Sequence, residues 1–153
     1  MDIQIIEKEP EIAIAVKYDA VDFTDMAAIM SEGYGKLMAY AARAGAQMTG
    51  APYCKYTNGS EDFTKFDIEL GLPLGAPLPE EDGMYMSKTC EGRAITAMHK
   101  GPYKEIEKTY GPMMQYLAEN KLESTYVFYD YYISDPASTP ESELLTKVVF
   151  PIK

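Results

Sequence analysis

"YGKLMAY" (34–40) returns later in the chain as "YGPMMQY" (110–116), with Tyr, Gly, Met and Tyr at the same places and an offset of 76 residues between Tyr34 and Tyr110. Self-similarity of this kind within 153 residues points to two related halves. The same offset sets "APYCKY" (51–56) over "VFYDYY" (127–132). Upstream, "AIAVKYDA" (13–20) resembles "AITAMHKG" (94–101), and later "LGLPL" (70–74) meets "VVFPI" (148–152). Each half therefore reads strand, helix, strand, strand.

The helices follow from periodicity. In 24–46, Met26, Met30, Leu37, Ala41 and Ala44 form a helical stripe with Tyr34 and Met38 beside it. Thr24 or Asp22 is suited to cap the start and Gly45 the end. A second helix opens at Pro102, a residue favoured at a first helical position, and carries Tyr103, Ile106, Tyr110, Met113 and Leu117 at spacings of three and four. Strands are expected at 2–9, 11–18, 64–72, 93–99, 125–133 and 144–150, each bounded by turn residues. "GAPLPEEDG" (75–83) reads as a linker and "SDPASTPESE" (134–143) as a loop. The expected fold is α+β: one domain over 1–153, built of duplicated βαββ halves (1–74 and 84–153). Its antiparallel sheet has two helices packed on one side and a ligand cleft between the halves.

Composition excludes several functions. Asp and Glu number 24 against 14 Lys and Arg, for a formal net charge of −10. Nucleic-acid binders need basic faces to displace counterions, so no nucleic-acid partner is expected, nor an anionic membrane surface. No apolar run approaches the roughly 18 residues of a spanning helix, and "MDIQIIEKEP" lacks the basic and apolar regions of a secretion signal, so the expected location is cytoplasmic. Cys54 and Cys90 are the only cysteines and His99 the only histidine, so no zinc ligand set and no cofactor are expected. His99 is read as a strand-end residue satisfied by hydrogen bonds.

"MHKGPYKEIEKTYGPMMQYL" (98–117), "YVFYDYYISDP" (126–136) and "LLTKVVFPI" (144–152) resemble the GyrI-like, or effector-binding, domain family, as do "GAPYCKY" (50–56) and "DIELGLPL" (67–74) in the first half. The resemblance covers nearly the whole chain and rests on the order and spacing of these motifs. It implies an SHS2-like fold and the ligand domain of multidrug-sensing regulators, here as a stand-alone member without a DNA-binding domain. The implied ligands are bulky, aromatic and often cationic. Some stand-alone relatives hydrolyse strained cyclopropanes of DNA-alkylating natural products, and the family name also evokes gyrase inhibition through protein contact. The family usually has Glu where this chain has Asp130, which is one methylene shorter.

Asp130 is the chemical focus, because a carboxylate inside an aromatic strand is costly unless paired. Alternation puts Tyr126, Phe128, Asp130 and Tyr132 on one face and Val127, Tyr129, Tyr131 and Ile133 on the other. The second set is expected to lie on the helix, and the first to line the cleft. Cys54 stands at the place equivalent to Asp130, and Tyr56 at that of Tyr132. Met98 and Met38 are candidate compliant lining. The ligand-binding candidates are thus Asp130, Tyr126, Phe128, Tyr132, Tyr56, Cys54, Met98 and Met38. For a hydrolase, Asp130 would activate water with Tyr103 or Tyr132 as the phenol. Glu69 is a weaker second acid, expected to face solvent.

Overall fold

A computed structural model describes residues Met1–Lys153 as eight strands, paired antiparallel, and two α-helices. Strand β1 (Gln4–Lys8) is followed by β2 (Ile12–Asp22), α1 (Met26–Arg43), β3 (Tyr53–Thr57), β4 (Lys65–Pro73) and β5 (Tyr85–Lys88). Then come β6 (Gly92–Lys100), α2 (Glu107–Glu119), β7 (Phe128–Tyr132) and β8 (Leu145–Pro151). The chain divides into two compact units, Pro10–Thr89 and a second formed by Met1–Glu9 with Cys90–Lys153. Strand order is β3-β4-β2-β5 in the first unit and β7-β8-β6-β1 in the second. Each unit is therefore strand, helix, strand, strand, plus one edge strand. Strand β1, read above as part of the first half, pairs with β6.

In the first unit β4 alternates so that Phe66, Ile68, Leu70 and Leu72 are buried on one face. Helix α1 lays Gly33, Leu37, Tyr40 and Ala41 inward. A side chain at Gly33 would collide with Leu70, so glycine sets how closely α1 approaches the sheet. In the second unit Ile95, Ala97, Val148, Phe150 and Ile152 meet Met113 and Leu117 of α2 in one apolar cluster. Each of these side chains except Ala97 contributes about 1.5–3 kcal/mol when fully buried.

Both helices end alike. After α1, Gly45 is left-handed (φ 68) and donates to Ala42, while Ala46 donates to Ala41. After α2, Lys121 takes the same conformation (φ 53) and donates to Ala118, while Leu122 donates to Leu117. These are Schellman closures, one with glycine and one without.

Three expectations are corrected. Strand β5 forms just after the 75–83 linker, where no strand was read. The helices begin later than expected: Asp22 caps a 3-10 turn (Phe23–Asp25) ahead of α1, and Pro102 stays extended before a second such turn, Tyr103–Glu105. The aromatic strand starts at Phe128, not 125. Tyr126 is left-handed (φ 58) and its N–H donates to the Ser124 hydroxyl, a turn arrangement that breaks the alternation.

Candidate functional site

Asp130 sits mid-strand on β7, opposite Val148 of β8, and is 3% exposed. The Tyr110 hydroxyl on α2 is 2.6 Å from one carboxylate oxygen and 2.7 Å from the other. Phe128, on the same face, packs edge-on against Phe150 at 4.8 Å. The Phe128–Asp130–Tyr132 face therefore looks toward α2, and the expected orientation of the strand is reversed. Tyr131, expected against the helix, instead accepts from the Cys90 N–H at 3.1 Å, stacks with Tyr129 and lies under the Lys8 ammonium. Both faces of this strand are aromatic, so periodicity offered no contrast. The deciding residue is Tyr110, on another element.

Around Asp130 the second unit gathers a polar cluster on its helix-facing side. Tyr132 packs edge-on with Tyr103 at 5.2 Å. Tyr132 and His99 are both in register with Thr146 of β8. The His99 ring fixes the "HKGPY" turn, with Nε2 3.1 Å from the Pro102 carbonyl and Nδ1 2.8 Å from the Thr109 hydroxyl. A carbonyl only accepts, so Nε2 carries the proton and, in the neutral ring, Nδ1 accepts from Thr109. Two buried hydroxyls, Tyr103 and Thr146, make no hydrogen bond. Burial and then the Asp135 charge push the Tyr103 phenol above its usual pKa, which keeps it a donor.

The remaining candidates separate. Tyr126 is 61% exposed and Met98 48% exposed, so neither joins this cluster. Cys54 and Tyr56 belong to the first unit and are buried on β3, with Tyr56 edge-on to Phe66 and Phe23. Met38 is 46% exposed on α1. The first unit also holds a site that sequence reading misplaced. Glu69 is half-buried, not solvent-facing, and accepts from Tyr53 (2.9 Å), Tyr85 (2.8 Å) and Ser87 (3.2 and 3.1 Å). Gly71 leaves room for the Tyr53 ring to lie against β4 and reach it. An open depression of about 420 Å³ in the same unit is lined by Tyr18, Asp22, Thr24, Asp25, Ile29 and Lys65 among others, none of them a candidate named above.

A sequence profile of the GyrI-like small molecule binding domain matches residues 1–153. Among curated proteins, none matches the sequence significantly. The fold is similar to the C-terminal domain of EcmrR, with a TM-score of 0.81 at 19% identity over 99% of this chain and 97% of that one. Against EcmrR in its complex with DNA, the TM-score is 0.85 at 19% identity over 99% of this chain, which spans 57% of that chain's length. A hydrolase from Listeria innocua gives 0.69 at 13% identity over 99% and 91% of the two chains. SAV2435 bound to tetraphenylphosphonium gives 0.66 at 10% identity over 100% and 94%.

Proposed function

Because the chain belongs to the GyrI-like small-molecule-binding family, we propose that it binds bulky aromatic cations, with the Asp130 carboxylate as the partner of the positive charge. The supporting observation is a carboxylate 3% exposed, bonded to the Tyr110 hydroxyl and flanked along its strand by Phe128 and Tyr132. Burying an anion is costly, and a cation in contact with it recovers part of that cost. Aromatic faces add cation–π attraction. The tetraphenylphosphonium-bound relative carries a ligand of this class. Since the carboxylate is covered, ligand access requires a cover to move.

The test is a fluorescence titration with rhodamine 6G beside calorimetry with tetraphenylphosphonium. Asp130→Asn is expected to weaken both by about 10- to 100-fold, since it removes a Coulomb attraction between carboxylate and cation on the order of a few kcal/mol at the effective dielectric of a protein site. Equal affinities for a folded Asp130→Asn and wild type would remove Asp130 from the site.

The second reading is hydrolysis of a strained cyclopropane, favoured by the Listeria innocua neighbour and by a carboxylate already bonded to a phenol. Asp130 would take a proton from water as its oxygen attacks a ring carbon. The carbon–carbon bond would break toward a carbon that is then protonated by a phenol, Tyr110, Tyr103 or Tyr132. Mass spectrometry of such a substrate after incubation separates the two: unchanged substrate leaves the binding reading.

A further inference from the structure

The binding reading leaves two donors unused. Thr146 is 0% exposed, and its hydroxyl and that of Tyr103 are buried without partners. A buried hydroxyl left unpaired costs free energy, and native structures place few of them. Both belong to one neighbourhood. Thr146 alternates with Val148 and Phe150, whose side chains lie in the α2-facing cluster, so it shares their face. Tyr132 is registered directly opposite Thr146, and its ring touches that of Tyr103. Asp130 pairs with Val148, two residues along β8 from Thr146. Asp130 and Thr146 are thus diagonal neighbours on one face, about 7–8 Å apart by strand geometry.

We propose that Tyr103 and Thr146 form a donor pair that recognises a hydrogen-bond acceptor on the ligand, beside the carboxylate that recognises its cation. A hydroxyl without a partner can give its proton to an incoming lone pair, and a phenol with a raised pKa keeps that proton. The site then selects a class narrower than lipophilic cations. It favours an aromatic molecule with a positive or N–H centre and a carbonyl, ester or ether oxygen about 7–8 Å from it, matching the diagonal spacing. A cation without an acceptor fills the carboxylate side and leaves the pair unused. This rests on the Asp130 reading, and the two can fail separately.

The experiment uses two probes and four proteins. Rhodamine 6G is a delocalised cation bearing an ester and a ring oxygen; tetraphenylphosphonium is a cation with no acceptor. Each is titrated against wild type, Thr146→Val, Tyr103→Phe and Asp130→Asn. Thr146→Val is close in shape and removes an unpaired hydroxyl, so its thermal midpoint is expected to equal or exceed that of wild type. Thr146→Val and Tyr103→Phe are each expected to weaken rhodamine 6G about 3- to 10-fold, the loss of one neutral hydrogen bond, and to leave tetraphenylphosphonium unchanged. Asp130→Asn weakens both. Hydroxyl variants that alter neither probe, or both equally, overturn the donor pair while the Asp130 reading stands. If rhodamine 6G responds to the hydroxyl variants but neither probe responds to Asp130→Asn, the carboxylate reading fails and the donor pair stands. Wild type that binds neither probe overturns both.

Discussion

Each helix presents a tyrosine to the strand beneath it, and the acceptor it meets differs between the units. Tyr34 donates to the backbone carbonyl of Tyr53 at 2.5 Å, next to Cys54. Tyr110, its counterpart in the repeat, donates to the Asp130 carboxylate. A thiol is a poor acceptor, so in the first unit the hydroxyl takes the neighbouring carbonyl. The charged acceptor makes the stronger bond. Tyr110→Phe is therefore expected to cost more than Tyr34→Phe, about 1.5–3 against 0.5–1.5 kcal/mol. Urea denaturation of the two variants measures the order, and a larger loss for Tyr34→Phe would contradict it. At this scale only part of the candidate cluster was legible. Asp130 stood out because aspartate is depleted in strands, and Tyr103 and Tyr132 do come together. Tyr110 was read as core stripe because nothing in a helical period tells a packing tyrosine from a donor. Thr146 was invisible, since its orphaned hydroxyl exists only once β6, β7 and β8 are in register.

At the scale of elements, the two Schellman closures are a matched pair with one unfavourable member. Gly45 adopts its left-handed backbone at no steric cost, whereas Lys121 has a Cβ that opposes it. Lys121→Gly is expected to stabilise the protein by about 0.5–1 kcal/mol, visible as a higher thermal midpoint with an unchanged spectrum. A lower midpoint would show that Lys121 contributes something beyond its backbone. Gly45 was readable as a helix end because glycine marks such positions; Lys121 was not. The helices were legible because long apolar stripes are strong signals. Strand β5 was missed because its four residues, "YMSK", three half-buried and one exposed, carry too little alternation beside a Pro- and Gly-rich loop. The burial of Glu69 was missed because its partners Tyr53, Tyr85 and Ser87 come from two other strands.

Across the whole molecule, the perturbed carboxylates and phenols set a stability curve with two limbs, opposed on the alkaline side by Lys147, whose ammonium is held below its usual pKa by burial. On the acid side, Asp22, Asp62, Asp67 and Glu105 have lowered pKa values, that of Asp62 to about 2. For Asp62 the causes are hydrogen bonds from Ser60 and Thr64, and for Asp67 those from Asn58 and Ala20. A carboxylate whose folded pKa lies below its unfolded value stabilises the fold above the unfolded value. That contribution disappears as pH falls through the folded one. On the alkaline side, Tyr18, Tyr85 and Tyr103 are raised, each first by burial and then by nearby carboxylates; for Tyr85 these include a hydrogen bond to Glu69. A raised folded pKa contributes fully below the unfolded value, near 10 for tyrosine, and is lost as pH climbs through the folded one. The net charge of −10 adds repulsion that grows with tyrosine ionisation. Urea midpoints are therefore expected to be flat, as far as these groups decide it, from about pH 5 to 9, to fall between about 4 and 2, and to fall again above about 10. Tyr85→Phe removes one of the raised phenols, so its alkaline limb should be shallower than that of wild type while its acid limb is unchanged. Rising stability on either limb, or an alkaline limb indifferent to Tyr85→Phe, would show that these groups do not set the curve.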